Sequence, residues 1–337
     1  MQAKPMPEVG AVQDLLASAA AHPDVLQWHT WASLNPGPAL VVLGAVHGNE
    51  QSGATAIART IHDFQTGRRV LLRGRVTLVP IANPLAFAQN TREGERNLNR
   101  RFLPREQPQD YEDRITRQLA PLLSAHDALL DLHSFHTPGV PFAMVGPRNN
   151  TGPREPFARA AEEMALARAL GAPQVVEGWL EVYDRAARAR GEPLDDEGIG
   201  TNEYMRSQGG YAVTLESGLH DDPDAVGVAE RALYGALAHL GLADVPAPAR
   251  FTGPAARLKE VVLRADPRDR LVRDWHSFDS VARGDVIGVR ADGTPLAAAQ
   301  AGCVLFPLPN GPITAYRFPA SKLQFTCLSA SIDWYLL

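Results

Sequence analysis

The chain has 337 residues, 45% of them hydrophobic, which is enough to bury a sizeable core and to build more than one compact unit. Its formal charge is −5, with no basic block of the kind that marks a nucleic-acid surface and no polar tract long enough for a disordered tail. The two cysteines, Cys303 and Cys327, form no C-x-x-C pair, which excludes a disulfide framework or a thiolate zinc cluster.

The N-terminal stretch lacks a long apolar core, Asp14 interrupts it, and no run approaches the roughly 18 apolar residues of a membrane span. A soluble, cytoplasmic protein with no membrane or nucleic-acid partner is expected; the oligomeric state cannot be read. Residues 39–46 (ALVVLGAV) form a short continuous apolar run, as a strand buried on both faces does. Residues 52–65 follow with helical spacing, placing Ala54, Ile57, Ala58 and Ile61 on one face. A strand is expected over 74–81, closed by Asn83-Pro84, and a helix over 110–125 with Ile115, Leu119 and Leu122 on one side.

Residues 127–132, 141–145 and 211–215 read as strands, and 156–170 and 223–240 as helices. The segments 146–155 and 177–203 read as loops. Strands alternating with helices predict an α/β unit over 1–245. Its central sheet would be mostly parallel or mixed, with helices on both faces. Near 245 the pattern changes: VPAPARFTGPAA reads as a linker. After it come EVVLRA, DVIGVRA, CVLFPL and ITAYRF, separated by turn signals such as Arg283-Gly284-Asp285 and Asp292-Gly293. A smaller β-rich domain is expected over 250–337, holding both cysteines as small apolar residues.

Three polar sites fall just past predicted strand ends: His47 with Glu50, His133, and Glu216. In open α/β sheets ligands bind in the crevice outside the carboxyl ends of the strands. Two histidines and one carboxylate are a ligand set for catalytic zinc, with the fourth position left to water. A further carboxylate that does not ligate can take a proton from that water, and Glu216 is the candidate. Gly44 and Gly48 are expected to let the backbone bend so that His47 and Glu50 reach one ion. A fourth segment, QNTREGERNLNRRF (89–102), carries Arg92, Arg96, Arg100 and Arg101 with Asn97 and Asn99. A guanidinium binds a carboxylate through two parallel bonds and can also stabilise a developing oxyanion. Each feature alone has an ordinary explanation: a surface H-x-x-E, a satisfied core histidine, a solvated arginine face paired with Glu93, Glu95 and Glu106, a turn glutamate. Their joint placement on one edge of one sheet favours a metal site. His136 and His220 are read as a loop residue and a helix-approach residue, not as ligands.

H-G-N-E at 47–50 behind Gly44, N-P-x-A-F at 83–87, T-R-E at 91–93, N-L-N-R-R-F at 97–102, D-L-H-S at 131–134 and L-E-S-G at 215–218 occur in that order. Together they resemble the succinylglutamate desuccinylase/aspartoacylase family of zinc carboxypeptidase-like hydrolases, over roughly residues 40–240. The tail resembles that family's C-terminal domain more weakly. The resemblance implies one Zn2+ per chain held by His47, Glu50 and His133. It implies Glu216 as general base and proton shuttle, Arg92 as carbonyl polariser, and Asn99 with Arg100 as the clamp on a substrate carboxylate. The reaction implied is hydrolysis of the amide bond of a small N-acyl amino acid. A carboxypeptidase acting on short peptides and a non-catalytic zinc or acyl-amino-acid binding protein are the alternatives. Asn97 departs from the aspartate common in the family, and the lost charge is expected to alter how Arg100 is held. Tyr316 is placed by positional similarity where it could reach substrate.

Overall fold

The computed structural model describes residues 9–152, 155–189, 191, 195–263, 266–307 and 332–336. The helices are α1 (Val9–Ala20), α2 (Gln51–Gln65), α3 (Pro84–Gln89), α4 (Tyr111–Ser124), α5 (Ala160–Ala169), α6 (Trp179–Ala189), α7 (Thr201–Ser207) and α8 (Ala225–His239). The strands of the main sheet are β1 (His29–Ala32), β2 (Ala39–Gly44), β3 (Arg75–Val79), β4 (Ala128–Phe135), β5 (Phe142–Met144), β6 (Val175–Glu177), β7 (Tyr211–Leu219) and β8 (Ala256–Arg257). They run in the order β1-β3-β2-β4-β7-β5-β6-β8. The centre, β3-β2-β4-β7, is parallel, while β1 and β5 enter antiparallel, so the sheet is mixed.

Alternation along each strand divides the core in two. Leu40, Val42, Leu130, Leu132, Val213 and Leu215 pack under α2, α5 and α8. Val41, Leu43, Leu129 and Ala212 face α4 and α7, through residues such as Ile115, Leu119, Tyr204 and Met205. Continuous apolar runs are what strands covered on both faces require. Helix starts carry local signals: Asp110 accepts from the Asp113 amide at 2.8 Å and caps α4, and Asn83 accepts from the Ala86 amide ahead of α3, with Pro84 in its first turn.

The segment after 250 holds β9 (Glu260–Leu263), β10 (Arg270–Leu271), β11 (Ser280–Val281), β12 (Val286–Val289), β13 (Pro295–Ala297), β14 (Gly302–Leu305) and β15 (Ile332–Leu336). These form a three-stranded sheet β10-β12-β13 and a four-stranded sheet β11-β14-β15-β9. Its own small core includes Leu271, Trp275, Ile287 and Val304. The stretch read as a linker is packed, not free: Val245 is buried, the Phe251 amide donates to Arg168 O at 2.8 Å, and β8 extends the main sheet beside β6. The β-rich segment sits against the carboxyl end of the sheet. Phe135 and Phe142 meet Phe306 at 5.4 and 5.3 Å between ring centroids, and the Ser277 amide donates to Pro138 O.

One further expectation changes. Residues 177–203 are not loop but hold α6 and the start of α7; Val182, Tyr183 and Ala187 form a buried stripe that the charged Glu181, Asp184, Arg185 and Arg188 obscured. The pieces ITAYRF, with Tyr316, and Cys327 lie outside the described residues. Among the described residues no helix is long and apolar enough to cross a membrane.

Candidate metal centre

β2 ends at Gly44, and the chain then turns through Ala45, whose φ of 48° lies in the left-handed region, before α2 begins behind Glu50. Neither Gly44 nor Gly48 supplies the bend. A Cβ on Gly48 would lie 2.0–2.2 Å from backbone atoms of Ala86 and Phe87, and one on Gly44 would lie 2.8 Å from the Ala54 amide. The glycines are there for close approach of backbone to backbone, which presses the 45–50 turn onto α3 and α2. His133 and Glu216 come from the carboxyl ends of β4 and β7, where they are register partners.

His47, Glu50 and His133 are 3%, 2% and 3% exposed, so none is a surface loop residue. One donor atom from each lies within 4.8 Å of the others. The Nδ1 atoms of His47 and His133 stand 2.8 Å from Glu50 Oε1 and Oε2 respectively, and 3.2 Å from each other. The far ring nitrogens face oxygen acceptors: His47 Nε2 lies 3.2 Å from Asn97 Oδ1. His133 Nε2 lies 3.1 Å from Asp131 Oδ1, out of line for a full hydrogen bond. Asp131 is itself fully buried and accepts from Thr201 Oγ1 at 2.6 Å. In the tautomer with the proton on Nε2, each imidazole would turn its Nδ1 lone pair inward, the arrangement that metal-ligating histidines adopt. Two ring nitrogens and a carboxylate gathered this closely fit a divalent ion of the borderline class.

The three groups differ in their electrostatics. Burial opposes charge on Glu50, yet His47 and His133 outweigh it and hold the carboxyl well below its usual range. Burial holds His47 down at about 4. Burial also opposes charge on His133, but Asp131 and Glu50 overcome it and hold the ring well above its usual value. Glu216 behaves differently. Burial pushes it up to about 8; His133 pulls it down and Glu50 pushes it up. Its Oε2 is buried with no hydrogen-bond partner among the described residues. A buried carboxyl oxygen left unpartnered beside a cluster of donors is placed to take up and give back a proton.

The arginine-bearing loop separates into two roles. Arg92 donates to Glu50 Oε1 at 3.0 Å and is about a third exposed, which brings a guanidinium into the cluster from the solvent side. Arg96 is held by Asp110 and Asp113 and by the carbonyls of Asn97 and Arg100, and Arg101 pairs with Glu197 at 2.7 Å; these two build the loop. Asn99 Oδ1 accepts from Thr201 N at 3.0 Å, and Arg100 Nη1 donates to Asn99 O at 2.6 Å. Asn99 and Arg100 line a small cavity of about 60 Å³ together with Asn202 and Thr214. The expected consequence of Asn97 is corrected: its side chain holds His47 Nε2 and the Asn99 amide at 2.9 Å, not the Arg100 guanidinium. An amide oxygen keeps the acceptor that His47 needs while lacking the charge.

Asp131, Ser134 and Thr201 were not singled out from sequence. The Ser134 amide donates to Glu50 Oε2 at 3.1 Å, and its hydroxyl meets His220 Nδ1 at 2.8 Å. Asp131 had a usable signal, since two residues before His133 on a strand is the same face. His136 and His220 lie beside the cluster with ring centroids 6.4 Å apart, and burial lowers both, His136 to about 4.

Residues 36–218 match the model of the succinylglutamate desuccinylase/aspartoacylase catalytic domain. A probable aspartoacylase from Nostoc sp. is 33% identical over 105 residues, which is 28% of this chain and 34% of that protein; the match thus spans about a third of that relative. Succinylglutamate desuccinylase from Vibrio cholerae superposes with a TM-score of 0.63 at 18% identity, covering 92% of this chain and 93% of that one. The product-bound ectoine utilization protein EutE from Ruegeria pomeroyi superposes with a TM-score of 0.62 at 23% identity, covering 82% of each chain. These structures share the fold, and the catalytic-domain match takes in His47, Glu50, the arginine loop, His133 and Glu216 in one continuous span of more than half the chain. The chain therefore belongs to the succinylglutamate desuccinylase/aspartoacylase family.

Proposed function

We propose that the protein is a zinc-dependent hydrolase that cleaves the amide bond of small N-acyl amino acids. The observation that carries this reading is the inward-facing set His47, Glu50 and His133 beside the unpartnered buried carboxyl of Glu216. The three donors would hold the ion. Bound there, zinc supplies Lewis acidity, which activates water and polarises a carbonyl.

The chain's own groups do the rest. Glu216 accepts the proton of the attacking water at its free oxygen and returns it to the departing nitrogen, so that the C–N bond breaks to give a carboxylic acid and an amine. Arg92 sets positive charge where the carbonyl oxygen becomes negative. Asn97 and Asp131 fix the orientation of the two rings. Arg100, carried by the Asn99 turn, presents a guanidinium for a substrate carboxylate. A binding protein would need neither Glu216 nor Arg92. Packing of the β-rich segment against the sheet end favours small amides over long peptides.

The test is a panel of N-acyl amino acids offered to the zinc-loaded protein and scored for free amine, with Glu216→Gln beside wild type. Turnover by wild type is expected on acids and not on their carboxamides. Glu216→Gln is expected to bind zinc yet turn over at least ~100-fold more slowly. Full turnover in Glu216→Gln, or equal rates on acid and amide, contradicts the assignments.

A further inference from the structure

The cavity at Arg100 continues into a larger one. Met144, Trp179, Leu180, Asn202 and Glu203 line both the cavity of about 60 Å³ and a second of about 970 Å³. The route back to the metal cluster lies on one face of the sheet. Thr214 stands two residues before Glu216 on β7, and Met144 and Phe142 on β5 are their register partners. The smaller space holds a carboxylate and little else. The larger reaches the top of the range for small-molecule sites, about 300–1,000 Å³, well beyond what an acetyl or succinyl group would fill.

The walls of the larger cavity show what it would take. Most of its charged side chains are paired among themselves and with their neighbours: Arg206 with Glu155 at 2.8 Å, Arg257 with Glu177 at 2.9 Å, Arg188 with Asp184 at 2.8 Å and Arg185 with Glu181 at 3.6 Å; Arg148 lines the cavity as well, as an exposed cation. The paired charges largely cancel and do not themselves select an ion. Met144, Trp179 and Leu180, which stand at the junction, are apolar and half-buried. Selection there rests on size and apolar contact.

Resting on the deacylase reading above, we infer that the substrate carries a bulky apolar group beyond the carboxylate held at Arg100, seated in the chamber between β5, α6 and α7, with Leu180 as a size-determining residue. The group could belong to the acyl half or to the amino-acid half, and the chamber chemistry is the same for both. Trp179 is less suited to a test, because it also packs on Tyr183 at 4.9 Å and edge-on to Phe306 at 6.0 Å and so helps to seat the β-rich segment.

The experiment uses the full-length zinc-loaded protein and two substrate arms. One arm is N-acetyl-, N-hexanoyl- and N-phenylacetyl-glutamate; the other is N-acetyl-alanine, N-acetyl-leucine and N-acetyl-phenylalanine. In at least one arm, kcat/KM is expected to rise at least tenfold from the smallest to the bulkiest member, and the arm that rises identifies the half seated in the chamber. Leu180→Trp, which fills the junction, is expected to lower the ratio of kcat/KM for the bulky member to that for the smallest member at least tenfold. Wild-type rates that fall with size in both arms, while the small members are hydrolysed, overturn the inference and leave the deacylase reading intact. No turnover of any of the six compounds contradicts that reading and the inference with it.

Discussion

Two buried charge clusters touch β7, and they are built on opposite principles. Near the start of the strand, Arg206 is enclosed by Glu155, Glu163 and Glu203. Its Nε and Nη2 donate to Glu163 at 2.9 and 3.2 Å, Nη2 to Ala212 O at 3.0 Å, and Nη1 to Glu155 at 2.8 Å and Glu203 at 3.5 Å. Glu163 in turn accepts from the amides of Gly146 and Ala212. Every donor of the guanidinium is used. Toward the other end of the strand, Glu216 has an unpartnered oxygen, and two histidine nitrogens and a carboxylate lie within 4.8 Å of one another, with Arg92 reaching Glu50 from the solvent side. Burying charge costs several kcal/mol per ion unless pairing offsets it. The Arg206 cluster meets that condition within the protein. The histidine cluster leaves Glu216 with an unpartnered oxygen, and that difference separates a structural knot from a candidate site.

The largest test of the contrast is Arg206→Ala. Removing the guanidinium leaves three carboxyls facing one another without their cation, and a loss of about 3–5 kcal/mol in folding stability is expected. Denaturant unfolding measures it; zinc content of the protein that remains folded is expected to stay at the wild-type level. A change below about 1 kcal/mol would mean that water reaches the pocket and that the clusters differ less than their hydrogen bonds indicate.

Asn97→Ala probes the other side with a smaller effect. Without the Oδ1 acceptor, the ring of His47 loses its orientation, and zinc affinity is expected to fall about 10- to 100-fold. Asn97→Asp restores an acceptor and is expected to bind at least as tightly as wild type. Competition with a chelator reads both, and equal affinity in Asn97→Ala and wild type would remove Asn97 from the account.

The subtlest test is in pH. Burial raises Glu155 to about 7, against the pull of Arg206. A carboxyl whose folded value lies above its unfolded one contributes stability below the unfolded value and loses it as pH rises through the folded value. The Glu155 contribution is thus expected to fade between about pH 4.5 and 7. Glu155→Gln, which does not titrate, should show a flatter dependence of melting temperature on pH across that window. An unchanged slope would assign the dependence to other groups.

How far each region could be read from sequence follows from the same physics. β2, β3, β4 and β7 are continuous apolar runs because helices cover both faces, and α2, α4 and α8 carry long apolar stripes. The gathering of His47, Glu50, His133 and Glu216 was legible because each lies in or soon after the carboxyl end of such a strand. β1 was not, being a four-residue edge strand with alternating exposure, and neither were β6 and β8, of three and two residues. α6 hid behind its charges, so the wall that Trp179 and Leu180 give the chamber could not be foreseen. The Arg206 cluster joins α7 to residues 155 and 163, contacts that depend on tertiary packing and leave no local pattern. Asp131 could have been read from its place two residues before His133 on one strand, whereas the true partner of Asn97 needed the fold of the arginine loop.

His47, Glu50 and His133 are expected to hold one metal ion. Elemental analysis of purified wild type and His133→Ala, each loaded with zinc and then passed through a desalting column, tests it directly. One zinc per chain is expected in wild type and none in His133→Ala, which should remain folded because the Arg206 cluster and both halves of the core are untouched. Full zinc occupancy in folded His133→Ala, or no zinc in wild type, would contradict the account.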